Sequence, residues 1–108
     1  MDIYKSQEKY NQAERDYLNA KQEFDKTKNQ FDFMRAKHYT FIKTRGVAEG
    51  TKPTVKDIDA ELLNLQSDAN HELGKAFIEF STALAKKQML YVEMNIAKRE
   101  YYSDMKLM

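Results

Sequence analysis

A seven-residue repeat of apolar and small side chains runs through the N-terminal part of the chain, from residue 3 to residue 44. A repeat of seven keeps one stripe of a helix facing one partner through a left-handed supercoil. The sequence therefore predicts a long coiled-coil helix over 3–44. The first seam position holds Ile3, Tyr10, Tyr17, Phe24, Phe31 and His38, and the second holds Ser6, Ala13, Ala20, Thr27, Met34 and Phe41.

The residues that break helices are concentrated in one place. Two of the three glycines and the only proline lie within 45–53, so we expect a turn there. Directly after it, Thr54 and Asp57 have the spacing of a capping box, which predicts a second helix over 54–106. So few Gly and Pro residues argue against sandwiches, barrels and Gly-rich nucleotide loops, because those structures need many turns.

The second helix carries a seam of its own, in which large and small residues again alternate. Bulky side chains of one helix can then lie over small positions of the other. We therefore expect an all-α fold, a single domain over 1–108 formed by a long antiparallel helical hairpin. The two seam positions hold Gln66, Leu73, Phe80, Lys87, Met94 and Tyr101, and Ala69, Ala76, Ala83, Leu90 and Ala97.

A second apolar stripe runs beside that seam through Leu63, Phe77, Leu84, Tyr91 and Met105. A lone hairpin buries one narrow strip on each helix, so the wider apolar face predicts further helices from another copy. We expect a homo-oligomeric helical bundle, with a dimer of four helices as the minimum. The residues assigned to the core seam or to oligomer contacts are Tyr10, Tyr17, Phe24, Phe31, Leu73, Phe77, Phe80, Leu84, Tyr91 and Met94.

Composition and motifs argue against an enzyme. The chain has no Cys, so disulfides, thiolate zinc sites and cysteine nucleophiles are excluded. His71-Glu72 begins like a zinc-protease helix, but the second His is missing. Asp68 with His71 is a single i, i+3 pair, whereas a di-iron bundle needs such a pair twice and two inward Glu residues. We expect no metal, no cofactor, no small-molecule substrate and no catalytic residue. His71 is interpreted as a solvated helix-face residue and His38 as a partly buried seam residue.

No apolar run approaches the ~20 residues that span a bilayer, and the first residues lack the basic and apolar regions of a signal peptide. Together with the lack of Cys, this predicts a cytoplasmic protein with no membrane partner.

Charge is segregated along the chain, although the formal net charge is only +1. Residues 26–56 hold eight basic and two acidic residues, or +6, and residues 57–79 hold one basic and six acidic residues, or −5. In an antiparallel hairpin these stretches lie side by side. They can neutralise each other and fix the register, or the basic stretch can bind a phosphate backbone.

Two aromatic residues favour the second interpretation. Phe33 and Tyr39 fall outside the two seam positions of the basic stretch, so both can project outward beside cations. Aromatic rings and cations together suit single-stranded nucleic acid, because every base offers a face for stacking. The candidate nucleic-acid-binding residues are Lys26, Lys28, Phe33, Arg35, Lys37, Tyr39, Lys43 and Arg45.

The layout of the chain resembles the small phage proteins of the UvsY-like recombination-mediator family. The resemblance lies in a first helix ending in RAKHYTFIKTRG, a turn leading into KPTVKDIDAEL, and a second helix closing with ALAKKQMLYVEMNIAKREYY. It implies a non-enzymatic oligomer that binds single-stranded DNA and helps to load a recombinase during recombination or replication. It assigns no individual functional residue.

A different class of function fits the same helices. A coiled-coil module that binds other proteins, such as an adaptor, an inhibitor of a host protein or a secreted helical hairpin, needs the apolar face but no nucleic acid. The Trp-x-Gly turn typical of small secreted hairpins is replaced here by Arg45-Gly46-Val47.

Overall fold

The computed structural model describes residues 2–107, and all regular secondary structure in that range is helical. Helix α1 spans Ile3–Ala48, α2 spans Val55–Gln66 and α3 spans Glu72–Lys106. The predicted all-α class and the pair of long helices are confirmed. None of the helices described between residues 2 and 107 has a stretch long and apolar enough to cross a membrane.

The first turn is shorter than the predicted 45–53, because α1 continues to Ala48. Gly46 therefore lies inside the helix, where a Cβ atom would come within 2.6 Å of Pro53 Cδ. Both the backbone N–H and the hydroxyl of Thr51 donate to the Gly46 carbonyl, each at 2.8 Å. Gly50, with φ of +76°, supplies the left-handed conformation that reverses the chain.

The capping box that was predicted at the start of α2 is present. Thr54 Oγ1 accepts from the Asp57 N–H at 3.2 Å, and Asp57 Oδ2 accepts from the Thr54 N–H at 3.1 Å. These reciprocal bonds satisfy two donors that a helix N-terminus otherwise leaves free.

The prediction of one continuous second helix over 54–106 is wrong, because residues 67–71 separate α2 from α3. The Ser67 hydroxyl donates to the Leu63 carbonyl at 2.8 Å, and Asp68 Oδ1 accepts from the Asn70 N–H at 2.9 Å. Side chains of this kind offer the backbone local partners that compete with a helix. Ala69, predicted at the seam, is an exposed residue of this break.

His71 is the residue from which α3 begins, and the expectation of a solvated helix-face residue is wrong. Its ring Nδ1 accepts from the Leu73 N–H at 3.0 Å, and its carbonyl accepts from the Lys75 N–H at 2.9 Å. The imidazole therefore takes the place of the Ser, Thr or Asp that more often caps a helix.

Gly74 makes the break possible. A Cβ atom at this position would overlap the carbonyl group of Asp68, whose carbon would lie 2.5 Å away. The close contact at Gly74 is therefore with the backbone of the 67–71 break.

Contacts within the chain form two compact units. The central unit comprises Lys26–Ser81, and the terminal unit combines the chain up to Asp25 with the chain from Thr82 onward. In the central unit, Phe31 stacks on Phe80 with ring centroids 5.5 Å apart. Its core is the apolar cluster of Phe31, Ile42, Ile58, Leu62, Leu73 and Ala76.

In the terminal unit, α1 and α3 run antiparallel, since Tyr10 contacts Tyr101 with ring centroids 6.0 Å apart and Tyr17 contacts Tyr91 at 5.5 Å. The predicted alternation of large and small residues is visible here, because the alanines at seam positions are buried. These are Ala20, Ala83 and Ala97.

Lys87 shows how a charged residue fits a seam position. Its Nζ lies 4.3 Å from the centroid of the Phe24 ring, so the ammonium faces the π-system while the alkyl stem covers apolar surface.

Of the ten residues assigned to the core seam, Phe31 and Leu73 are buried and Tyr91 is 49% exposed. The other seven are half-buried, and they are Tyr10, Tyr17, Phe24, Phe77, Phe80, Leu84 and Met94. In the predicted second stripe, Leu63 and Met105 are exposed.

We predict that Gly74→Ala destabilises the protein, although alanine favours a helix by about 1 kcal/mol over glycine. The added methyl group must displace the Asp68 carbonyl, and overpacking of this kind costs about 1 to 3 kcal/mol. Urea unfolding followed by circular dichroism measures the change in the free energy of unfolding. Lys75→Ala, at the next and exposed position, is the matched control and should change it by less than about 0.5 kcal/mol. A more stable Gly74→Ala protein would contradict the close contact.

Candidate functional site

Most of the predicted nucleic-acid-binding cations form ion pairs within the central unit. Arg35 pairs with Asp59 at 3.1 Å and Arg45 pairs with Glu61 at 2.7 Å, in both cases between α1 and α2. These pairs show that the basic and acidic stretches do meet, which is the neutralisation that the charge pattern allows. The hydrogen bond to Glu61 raises the pKa of Arg45 above its ordinary value, so its guanidinium stays charged.

Two further candidates are paired more weakly. Lys37 Nζ lies 3.6 Å from Glu72 Oε1, and Lys28 Nζ lies 3.3 Å from Asp32 Oδ2, one turn along α1. Lys26 and Lys43 are exposed, and neither has an acidic partner within 4.0 Å in the part of the chain that the structure describes.

The two predicted aromatic residues differ in their environment. Phe33 is 71% exposed, as expected. Tyr39 does not project outward, because it is half-buried and packs against the core cluster of the central unit. The expectation that Tyr39 is available to stack on a base is therefore wrong.

Phe41 was assigned to the helix seam, and that assignment is wrong. It is 61% exposed, while the next residue, Ile42, is 4% exposed and belongs to the core cluster. A straight α-helix drifts relative to a strict seven-residue repeat, and α2 adds a second surface against which the end of α1 packs. The inward position near the turn is thus one residue later than the repeat predicts.

With Phe41 outside the core, four side chains alternate along one face of α1. Phe33, Lys37, Phe41 and Arg45 follow one another at intervals of four residues, so each is a neighbour of the next on the helix surface. The Arg45 guanidinium carbon lies 5.9 Å from the centroid of the Phe41 ring. We call these four residues the aromatic-cation row.

A groove borders this row. It has a volume of about 450 Å³ and lies between the end of α1, α2 and the start of α3. Phe41 and Ile42 give it an apolar wall, and the ion-paired carboxylates of Glu61 and Glu72 lie at its polar side. The Phe41 ring is thus exposed at the groove. Lys37 and Arg45 lie beside it, and the carboxylates with which they pair are also at the protein surface.

Two histidines lie at the same groove. His38 Nε2 is 2.6 Å from Glu72 Oε1, and the ring centroids of His38 and His71 are 4.9 Å apart. The His38 side chain is 15% exposed, in agreement with a partly buried seam residue. Within residues 2–107, no three His, Asp or Glu side chains are arranged to hold a metal ion.

The carboxyl of Glu72 is perturbed by these neighbours. The hydrogen bond with His38 is the largest cause that lowers the pKa of Glu72 below its ordinary value, and the charge of Lys37 lowers it further. Glu72 also lies in the first turn of α3, where a negative charge interacts favourably with the helix dipole.

A comparison of the chain with protein families, curated proteins and solved structures found no match. The geometry of the groove and the aromatic-cation row is therefore the basis for the function proposed below.

We predict that Glu72→Gln removes part of the loss of stability in acid. A carboxyl whose pKa is lowered by folding stabilises the folded state fully above its unfolded-state pKa of about 4.3, and this contribution is lost as the pH falls through the lower folded-state value. The parent should thus lose stability between about pH 5 and pH 3 more steeply than the variant.

Thermal unfolding at a series of pH values measures this difference. Glu79→Gln is the matched control, because Glu79 is exposed on α3 and forms no ion pair with the described residues. Equal acid slopes for the parent and Glu72→Gln would contradict a stabilising role for the pair of His38 and Glu72.

Proposed function

We propose that this chain is a non-enzymatic, oligomeric helical protein that binds single-stranded DNA through the aromatic-cation row and assists recombinase loading. The observation that carries the proposal is the exposure of two phenylalanines, Phe33 at 71% and Phe41 at 61%, beside Lys37 and Arg45. The resemblance to UvsY-like mediators supports recombination as the process.

Single strands fit this row better than a duplex. Unpaired bases can stack on exposed rings, and each stacked base contributes about 1 to 3 kcal/mol. Lys37 lies between the two rings and Arg45 follows the second ring, so both cations can contact phosphates. A duplex hides its base faces and is read by helices or strands inserted into a groove, whereas the outward row lies along one side of a long helix.

The intramolecular ion pairs leave these cations available. Exposed pairs such as Arg45 with Glu61 add little stability, so a phosphate can replace a carboxylate at little cost. Lys26, seven residues before Phe33, shares its helix face and has no acidic partner among the described residues. Since three cations contact phosphates in this arrangement, the logarithm of affinity should fall with the logarithm of salt with a slope of about −2.

We predict that replacing both rings, Phe33→Ala with Phe41→Ala, weakens binding of a labelled oligothymidine by at least about tenfold, because two stacking surfaces are lost. Both side chains are exposed, so helix content and thermal stability should be unchanged. Fluorescence anisotropy at low salt measures the affinity.

The matched control is Tyr4→Ala, which removes a 79% exposed aromatic ring from the same helix outside the row. It should bind like the parent. Equal binding by the double variant and the parent would exclude the row as the binding surface, and no binding by the parent at micromolar concentrations would overturn the proposal.

A second prediction concerns charge. Lys26→Gln should reduce the salt slope by about 0.7, the value for one phosphate contact on a single strand. Lys43→Gln is the control, because Lys43 is equally free of acidic partners in the described chain but lies two residues from both Phe41 and Arg45, on another side of the helix. If both variants reduced the salt slope equally, the DNA would be attracted to the basic stretch as a whole, and the row would have no role.

A protein-binding function is the second candidate. Met89, Val92 and Ile96 of α3 are 54%, 56% and 47% exposed. Because the three residues are neighbours on one helix, they form a large exposed apolar surface. A chain that fails to bind oligothymidine but forms assemblies through these residues would be a helical interaction module.

A further inference from the structure

Helix α3 has a second apolar seam within the terminal unit. Ala85, Met89, Val92 and Ile96 are all exposed and are spaced four, three and four residues apart. This is the spacing of the core positions of a coiled coil. At 3.6 residues per turn, the four side chains share one face of the helix. We call them the outer seam.

The outer seam is distinct from the surface that packs on α1. Ala83 and Ala97, on the inner side of α3, are 7% and 1% exposed, whereas Met89 and Val92 are both more than half exposed. The stripe predicted through Leu84 and Tyr91 is displaced from the outer seam by one residue along the chain, so the two stripes are different surfaces of α3.

We propose that the outer seam binds the outer seam of a second copy of this chain, with the two α3 helices antiparallel across a two-fold axis between Met89 and Val92. The proposal rests on the proposed function, which includes self-association, and identifies the surface through which two copies bind.

The side-chain sizes of the outer seam fit this antiparallel pairing. In this register Met89 lies opposite Val92 of the second copy, and Ala85 lies opposite Ile96 of the second copy. Each layer thus combines a smaller residue with a larger one, which keeps the spacing of the helices even. A parallel pairing in register would place Ala85 against its own copy and leave the smallest layer unfilled.

The charges beside the outer seam are also complementary in this pairing. Lys86 and Glu93 flank the outer seam on the same side, at equivalent positions of two successive heptads. In an antiparallel pair these positions face each other, and the register that matches Met89 with Val92 brings Lys86 opposite Glu93 of the second copy. The two-fold axis repeats this ion pair, so the interface contains it twice.

Lys86 and Glu93 form no ion pair within residues 2–107. Lys86 borders Asp16 and Glu23 of α1, and Glu93 borders Lys9. Lys9 pairs with Glu100 at 3.0 Å, and neither Lys86 nor Glu93 has an oppositely charged side chain within 4.0 Å over residues 2–107. Both are therefore available to a second copy.

The length of the seam determines how tight the dimer can be. Twelve residues of helix extend over about 18 Å, which corresponds to an interface at the small end of the range, below about 1,200 Å² in total. We expect a reversible dimer that forms at micromolar concentrations.

Sedimentation equilibrium of the full chain over a wide concentration range tests the interface. Val92→Glu should weaken dimerisation by at least about tenfold, because it places a charge in the central layers. Val47→Glu is the matched control, since Val47 is 64% exposed on α1, and it should leave the dimer unchanged. Circular dichroism shows whether both variants keep the helix content of the parent.

Charge reversal tests the antiparallel register. Lys86→Glu and Glu93→Lys should each weaken the dimer by about fivefold, because each replaces two attractive pairs by two repulsive ones. The double variant restores both pairs with their charges exchanged, and its dissociation constant should return to within about twofold of the parent.

The outcomes distinguish this interface from the wider proposal. A parent chain that is monomeric at every concentration would overturn both self-association and the outer-seam interface. An oligomer that is insensitive to Val92→Glu would preserve self-association but exclude this interface. A dimer sensitive to Val92→Glu but not rescued by the double variant would overturn the antiparallel register. Binding of oligothymidine is measured separately with the aromatic-cation row variants.

Discussion

The close approach of Gly74 to the carbonyl of Asp68 determines how the chain passes from α2 into α3. Because there is no side chain at Gly74, the 67–71 break can lie directly against the first turn of α3. Leu73, fully buried, then packs with Ile58 and Leu62 in one core. This core joins the end of α1 to α2 and α3 in the central unit. The groove and the aromatic-cation row depend on it, since it fixes which side of α1 faces inward.

Ion pairs on the surface of the central unit follow from that packing. Once α2 lies along α1, Asp59 and Glu61 come within reach of Arg35 and Arg45. Such pairs add little stability, but they fix which cations are neutralised and which remain free. The basic stretch is therefore not a uniform patch. It combines cations held beside carboxylates with Lys26 and Lys43, which have no acidic partner in the described range.

Much of the fold could be predicted from local pattern. The seven-residue repeat identified the inward side of α1 as far as Phe31, and Thr54 with Asp57 marked the start of α2 within one residue. The break at 67–71 was missed because it contains neither Gly nor Pro. It depends on a hydrogen bond that the Ser67 hydroxyl donates and on one that the Asp68 carboxylate accepts.

The candidate site was predicted only in part. Phe33 was identified correctly as an outward residue, whereas Tyr39 is half-buried and not outward, and Phe41 is exposed and not inward. Both errors have one physical origin. Near the turn, α1 packs against α2 as well as α3, so its buried face is wider and is displaced relative to the strict repeat. The exposed face of α1, which carries the aromatic-cation row, is displaced together with the buried face. The packing of α2 against α1 cannot be recognised from the sequence of α1 alone.

The division into two units has a consequence for how the chain folds. The central unit is one continuous segment, in which His38 meets Glu72 across 34 residues, whereas Lys9 meets Glu100 across 91 residues in the terminal unit. From the dependence of loop-closure entropy on length, closing the longer loop first costs about 0.9 kcal/mol more. Folding is therefore expected to nucleate around the turn between α1 and α2 and to proceed toward the two ends of the chain. During synthesis, residues 2–25 are made long before residues 82–107, with which they pack, so they lack these contacts until α3 has been made.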